Sequence, residues 1–293
     1  MAKNKPAGSL KVRRITMDII VHIFLSIVSI IWVMPFIYLI GQSLRDTGFS
    51  GMDISSFFPK KIGLTNFIRL FTQTETYNFP QMFMNTLLVS SVSCIISSFF
   101  VLAVSYSLSR VKWKMRKTYM NMGMIMGLFP GFMGMTATYF LLKAMGLTEG
   151  EFVLLGLIIC NFSGSGLGFH VMKGYMDTIP KALDEAAYLD GATKWQTFTR
   201  ITLPLCKPMI VYQVVTAFMG PWCDYIFARL IVRDQEKYYT VSVGLWDMLK
   251  LESINSYFTQ FCAGAVVVAV PISILFIITQ RFYQEAMSGS VKG

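Results

Sequence analysis

Stretches without any Asp, Glu, Lys or Arg alternate with short charged segments along the chain. Residues 19–44, 76–109, 118–142, 152–172, 208–223 and 253–280 are charge-free, with lengths of 26, 34, 25, 21, 16 and 28. A helix needs about 20 mostly apolar residues to cross a hydrocarbon core of about 30 Å. Five intervals reach that length. The interval from 208 does so only by running on to about residue 232, with Asp224 and Arg229 near an interface. The 34-residue interval starts its helix near Gln81, just after Pro80. The pattern predicts an all-α polytopic membrane protein of six transmembrane helices, at about 17–42, 81–109, 118–142, 152–173, 208–232 and 256–282. A short segment, 1–14, precedes a single six-span domain, 15–293, and a long polar loop at 174–207 interrupts the spans.

Composition agrees with a life in lipid. The chain is 54% hydrophobic and 14% charged, with a mean hydropathy of +0.54, whereas soluble domains run about 45–50% apolar and about 25% charged. A disordered chain, a disulfide-built extracellular domain and a cleaved secretory leader before a soluble domain are excluded by the same pattern, since apolar segments recur to the end. The first apolar run is expected to be retained as a span. Cys94, Cys160, Cys206, Cys223 and Cys262 stand singly with no Cys-x-x-Cys, so they read as small packing residues. His22 and His170 have no metal-ligand spacing.

The net charge of +10 follows topology rather than a nucleic-acid surface. With the amino terminus inside, 17 of the 26 Lys and Arg fall on inner segments and 9 on outer ones. That asymmetry places both termini in the cytoplasm, and the basic excess then faces anionic lipid. The outer loop from about 43 to 80 contains Gly48, Gly51, Pro59, Gly63 and the pair Phe57-Phe58, which points to a folded cap. The outer loop at about 233–252 presents Tyr238, Tyr239 and Trp246, either as interface anchors or as a docking surface for an outside protein.

The inner loop at 174–207 reads as two short helices. Pro180 sits where a helix starts and Gly191 where it ends, the position that tolerates positive φ. Thr193-Lys-Trp-Gln196 has capping-box spacing for the second helix, which Leu203-Pro204 stops. Leu183, Ala186, Ala187 and Asp190 share one small, mostly apolar face, with Asp184 and Glu185 to its side. Such a face needs a partner surface, either a protein or, for an interfacial hairpin, the lipid headgroups.

Glu185-Ala186-Ala187, three residues, Gly191, nine residues and then Ile201-Thr202-Leu203-Pro204 resemble, spacing included, the Glu-Ala-Ala loop of the membrane subunits of bacterial ABC importers. The likeness covers roughly 15–293 and is closest to permeases of the maltose and maltodextrin type. Asn85-Thr86-Leu87, the run from Met172 to Pro180, Gly220-Pro-Trp-Cys-Asp224, Arg229-Leu-Ile-Val-Arg233, the run from Tyr239 to Leu245 and Val291-Lys292-Gly293 all carry it. The resemblance implies the type I ABC importer permease fold in the bacterial cytoplasmic membrane. It implies that Leu183, Asp184, Glu185, Ala186, Ala187, Asp190, Gly191, Ala192, Ile201, Leu203 and Pro204 couple to a separate ATPase, which Val291, Lys292 and Gly293 also touch. The implied partners are a second permease subunit in a heterodimer, two ATPase subunits, an extracytoplasmic sugar-binding protein, a carbohydrate substrate and membrane lipid, with no nucleic acid. No Gly-Lys dipeptide occurs, so this chain has no P-loop. No cofactor is expected on it, and ATP and Mg belong to the partner ATPase.

Candidates for a substrate path are Asn161, Ser163 and Ser165, interleaved with glycines, and Asp224, the one acid within reach of a span. The first three could equally serve tight helix packing, and Asp224 could order the end of the fifth helix. In the maltose type the other permease holds most of the sugar. An intramembrane enzyme would need a converging nucleophile, base or metal ligands. A secondary transporter would need ion-coupling groups and repeated broken helices. Neither pattern is present, so a non-catalytic subunit of an ATP-driven sugar importer is the expected function, with another oligosaccharide, a polyol or an acidic sugar as the alternative cargo.

Overall fold

The computed structural model describes residues 7–46, 57–128, 130–163 and 168–289. Among them there is no strand, only a single antiparallel bridge between Arg45 and Ile62. The helices in chain order are α1 (Ala7–Ser43), α2 (Thr65–Thr72), α3 (Phe79–Arg110), α4 (Arg116–Met126), α5 (Gly131–Ala144), α6 (Val153–Ser163), α7 (Gly168–Thr178), α8 (Ala182–Leu189), α9 (Lys194–Thr197), α10 (Leu203–Leu205), α11 (Lys207–Cys223), α12 (Ile226–Val232), α13 (Val241–Met248) and α14 (Ile254–Gly289). A π-helical turn, Phe198–Thr202, joins α9 to α10.

Three helices are long and apolar enough to cross a bilayer among the described residues: Arg14–Ser43, Phe79–Arg110 and Ile254–Gln280. Two bent pairs raise the number to five if each pair is one span. The expected span at 118–142 is made of two helices, α4 and α5, parted around Gly127 and Pro130. Proline lacks the N–H that would continue the ladder, and glycine offers no side chain to brace it. The expected span at 152–173 is divided between α6 and α7, and 164–167 lies outside the described residues. The expected span at 208–232 ends as a regular helix at Cys223 and resumes as α12. Pro35 in α1 and Pro271 in α14 lie inside continuous helices, as is tolerated where neighbours re-satisfy the freed carbonyl.

The chain divides into two units, residues 1–70 with 251–266, and residues 71–250 with 267–293. In the first, the segment after α1 is stapled to α2 by its polar groups. Asn66, 2% exposed, donates through Nδ2 to the carbonyls of Ser43 at 3.1 Å and Arg45 at 2.8 Å. Thr65 Oγ1 donates to Asp46 Oδ1 at 2.9 Å, and the Gly63 amide donates to the Leu44 carbonyl. Phe57 packs on Tyr38 with ring centroids 5.2 Å apart. Gly48 and Gly51 lie outside the described residues.

In the second unit α3 is the hub, packing against α6, α7 and α11. Its start is set by Asn78, whose side chain accepts from the Gln81 amide at 3.1 Å, with Pro80 in the first turn. Its inward face is built from small hydroxyl residues: Thr86, Ser90, Ser93, Ser97, Ser105 and Ser109 are all buried. Ser93 Oγ donates to the Ile158 carbonyl at 3.3 Å, Ser97 Oγ accepts from Gln213 Nε2 at 3.1 Å, and Ser105 Oγ donates to the Phe169 carbonyl at 3.0 Å. Small residues let backbones approach and their hydroxyls bond across, which is how helices associate without a hydrophobic drive.

Close approach also governs α6, where a Cβ on Gly156 would run into the Leu147 carbonyl oxygen of the preceding turn. Gly156→Ala should destabilise the protein by about 1–3 kcal/mol, because a backbone oxygen cannot step aside as a side chain can. The check is thermal unfolding in detergent beside Gly134→Ala, where an added Cβ meets nothing within 4 Å. An unchanged melting temperature for Gly156→Ala would refute the tight contact.

Candidate coupling site

At one end of α3, Val101 packs with Met172 and Met176 of α7, Ile179 and Cys206 in an apolar cluster, and between Ile179 and Cys206 the chain runs out as α8, α9 and the π turn. Burial raises the Cys206 thiol to about 11, so it stays protonated and packs as a small apolar group. α8 begins at Ala182, two residues after Pro180, with Lys181 as its N-cap and no side-chain cap bond. Pro180 therefore stands ahead of the helix rather than in its first turn. The other end is closed by a Schellman motif: the Gly191 amide donates to the Tyr188 carbonyl at 3.1 Å and the Ala192 amide to the Ala187 carbonyl at 2.9 Å. Gly191 adopts φ +82°, the left-handed region that favours glycine. α9 then starts at a complete capping box. The Thr193 amide donates to Gln196 Oε1 at 2.8 Å, and the Gln196 amide to Thr193 Oγ1 at 3.3 Å.

One buried charge ties α8 to the end of α3. Arg110, the last residue of α3, has its side chain only 4% exposed and pairs with Asp184 at 3.2 Å. Its Nη2 also donates to the Met176 carbonyl at 2.8 Å and the Ile179 carbonyl at 2.9 Å, the end of α7. A guanidinium suits this position because its planar fork presents donors in several fixed directions. Next to it Ser109 Oγ donates to Asp177 Oδ1 at 2.6 Å, and Lys173 Nζ donates to Oδ2 of the same carboxylate. Burial would raise the Asp177 carboxyl, but these bonds and the charges of Lys173 and Arg116 outweigh it and hold it below the ordinary carboxylate range. Tyr106, one turn back on α3, donates its hydroxyl to the Lys194 carbonyl at 3.3 Å and packs on Phe198 at 4.6 Å. Tyr175 donates to the Leu205 carbonyl at 3.3 Å.

The clamp decides which residues face outward. Asp184 and Ala187 are buried, while Leu183, Glu185, Ala186, Asp190 and Gly191 are exposed and Ala192 is half-buried. Ala186 and Ala187 thus lie on different sides of the helix surface, not on a shared docking face. The exposed surface of the loop carries more large apolar groups than the sequence suggested: Leu189 at 89% and Trp195 at 70% exposure, with Leu183 and Tyr188 also exposed. Ile201, within the π turn, and Leu203, just beyond it, are half-buried, and Pro204 is exposed. Val291, Lys292 and Gly293 lie outside the described residues. The inverse half of the site, Arg110, Tyr106 and Asp177, was missed by sequence reasoning. Its one available signal was that Arg110 is the charge that ends the longest uncharged interval.

The remaining candidates are dispersed. Asn161, half-buried on α6, donates to the Leu157 carbonyl of its own helix at 2.9 Å. Ser163 ends α6, and Ser165 lies outside the described residues. Asp224 Oδ1 accepts from the Phe227 amide at 3.1 Å, and its carbonyl accepts from Ser242 Oγ at 2.6 Å. It orders the junction of α11 and α12. At the far end of α3, Asn85 Nδ2 donates to the carbonyls of Lys237 at 2.9 Å and Tyr239 at 3.0 Å, while Thr86 Oγ1 accepts from the Val241 amide at 2.8 Å. Tyr239 is buried and its hydroxyl accepts from Arg229 Nη1 at 2.6 Å. Arg229 also pairs with Asp247 at 3.2 Å, which Lys250 meets at 2.8 Å. Trp246 is 53% exposed and Tyr238 half-buried. Tyr239 thus supports this surface from beneath, and Trp246 is the large group it presents.

Comparison with known proteins gives this architecture its place. A galactooligosaccharide transport permease of Bacillus subtilis is 29% identical over 287 residues, covering 98% of this chain and 99% of that one. A maltodextrin transport permease of Streptococcus pneumoniae is 30% identical over 289 residues, covering 98% and 99%. Among solved structures, a bacterial ABC transporter that imports the acidic polysaccharide alginate has a chain that superimposes with a TM-score of 0.75 at 20% identity. It covers 96% of this chain and 100% of that one. Because residues 7–288 match the family of binding-protein-dependent transport system inner membrane components, the chain belongs to that family.

Proposed function

We propose that this chain is a non-catalytic permease subunit of an ATP-driven carbohydrate importer. It forms half of the translocation pathway with a second permease and takes its power from two separate ATPase subunits through α8 and α9. Six spans from a cytoplasmic amino terminus place that loop inside and Trp246 with Tyr238 outside, toward an extracytoplasmic sugar-binding protein. The tail at 291–293 reaches the ATPases, which hold ATP and Mg. The carrying observation is that α8, clamped at its back by Arg110, leaves Leu183, Tyr188 and Leu189 exposed, with Trp195 exposed on the adjoining α9. Several large apolar side chains left exposed on one short hairpin favour a protein partner over solvent. Oligosaccharide is favoured as cargo because two full-length relatives are named for galactooligosaccharide and maltodextrin transport. Maltodextrin-like sugars are the reading to test first. Asn161, Ser163, Ser165 and Asp224 are proposed to border the path, with Asp224 acting through the backbone it orders.

In a pull-down from detergent-solubilised membranes, the wild type should bring down an ATPase and a second permease. ATP hydrolysis by that complex should rise with binding protein loaded with maltodextrin. Glu185→Lys with Leu189→Asp should lose the ATPase and keep the second permease. Absence of any ATPase from the wild-type sample would remove the importer reading, and stimulation by galactooligosaccharide alone would change its cargo.

A further inference from the structure

α3 and α4 are joined by a short turn, and from residue 110 to 117 the sequence Arg-Val-Lys-Trp-Lys-Met-Arg-Lys holds five cations and no acid. The structure separates these cations by task. Arg110 turns inward to Asp184 and the α7 carbonyls. The other four, Lys112, Lys114, Arg116 and Lys117, surround a cavity of about 450 Å³ together with Trp113 and Met120. Arg116 still lends its charge to Asp177. Trp113 is 41% exposed, and its ring lies 6.2 Å from that of Tyr119, itself 46% exposed. The cradle lies at the same end of α3 as the coupling loop, because Arg110 binds that loop directly.

Four like charges around one hollow repel each other, and that repulsion is relieved when an anion sits among them. Their position selects the anion. The cradle directly follows a 32-residue apolar helix, and exposed Trp and Tyr settle at the level of the headgroups. A cluster of Lys and Arg immediately beyond a span attracts acidic phospholipid, each charge near the surface contributing independently. Soluble phosphate would have no use for the apolar wall of Trp113 and Met120, whereas the glycerol and first methylenes of a lipid would cover it. We propose that Lys112, Lys114, Arg116 and Lys117, walled by Trp113 and Met120, form a binding site for the phosphate headgroup of an anionic phospholipid. The cytoplasmic sidedness of the site rests on the importer reading. Its chemistry does not. A headgroup held there would fix the end of α3 from which Arg110 reaches the coupling helix.

The test uses the full chain in lipid nanodiscs of phosphatidylcholine, with and without phosphatidylglycerol, released into detergent for native mass spectrometry. The wild type should retain phosphatidylglycerol over phosphatidylcholine. Lys112→Gln, Lys114→Gln, Lys117→Gln in one chain should lower that retention by about tenfold or more, given what each surface cation contributes. Lys112→Arg, Lys114→Arg, Lys117→Arg should keep it, which separates lost charge from lost folding. Equal retention by wild type and the glutamine variant overturns the site. Displacement of the lipid by orthophosphate at equal concentration overturns the lipid as its ligand. Selective retention by a chain that captures no ATPase supports the site while removing the importer reading.

Discussion

Arg110→Met will uncouple import from ATP hydrolysis. The substitution keeps an aliphatic stem but strands the Asp184 carboxylate, whose side chain is only 11% exposed, and takes the donor from the Met176 and Ile179 carbonyls. Removing one partner of a buried ion pair costs about 3–5 kcal/mol, because the other charge stays buried and unpaired. Uptake of labelled oligosaccharide into proteoliposomes, per ATP hydrolysed, should fall by about tenfold or more, as a cost of that size implies. A simple loss of folding is distinguished by Arg110→Met with Asp184→Leu. That pair removes the stranded charge and should recover the melting temperature, but not the uptake, since the coupling helix still lacks its tie to α3. Import at the wild-type ratio by Arg110→Met would show that force reaches α3 by another route.

Gly191→Val should weaken capture of the ATPase by about tenfold, with little change in the melting temperature. The reason is backbone geometry rather than space. An added Cβ at Gly191 meets nothing within 4 Å, yet φ is +82°, where an L-residue costs roughly 1–2 kcal/mol and a β-branched one is a genuine outlier. The turn relaxes that strain by giving up the two Schellman bonds, which moves Ala192 and the start of α9 relative to α8. Asparagine tolerates the left-handed region, so Gly191→Asn should bind the ATPase within about threefold of wild type. Equal capture by all three chains, measured by titrating purified ATPase onto the immobilised permease, would show that the turn geometry is not read by the partner.

The sequence made the coupling loop legible because its signals are local. A capping box needs only Thr193 and Gln196, and a Schellman end needs only a glycine at the right place, so both could be read without knowing what the loop packs against. The facing of α8 could not be read that way. Periodicity puts Leu183, Ala186, Ala187 and Asp190 together, but the end of α3 offers a buried guanidinium, and so the inward residues are Asp184 and Ala187. An arginine at a helix end also reads as a topology signal, which hides its second use. The span pattern was legible as uncharged length, since lipid demands that much of any crossing segment. The break at Gly127 to Pro130 was not, because lengths of apolar sequence carry no record of direction, whereas the one at Asp224 matches the reading in which that residue orders the end of the fifth helix. Tyr239 illustrates the same limit on the other side: an aromatic in a polar loop reads as exposed until Arg229 is found beside its hydroxyl.

The hydroxyl-lined face of α3 has a consequence for how such a chain can drift. Helix pairs joined by single side-chain bonds gain on average only about 0.6 kcal/mol from each, so no one serine there is indispensable. Alanine can replace Ser90 or Ser93 at little cost, whereas at Ser97 it would leave the buried Gln213 amide without its acceptor, and leucine at any of the three would wedge α3 away from its neighbours. The face therefore constrains volume and leaves chemical identity loose. Most of its letters can be rewritten so long as its thickness is kept, and a designer who wishes to retune the bundle has latitude in polarity there wherever no buried donor, such as that of Gln213, is left without its acceptor.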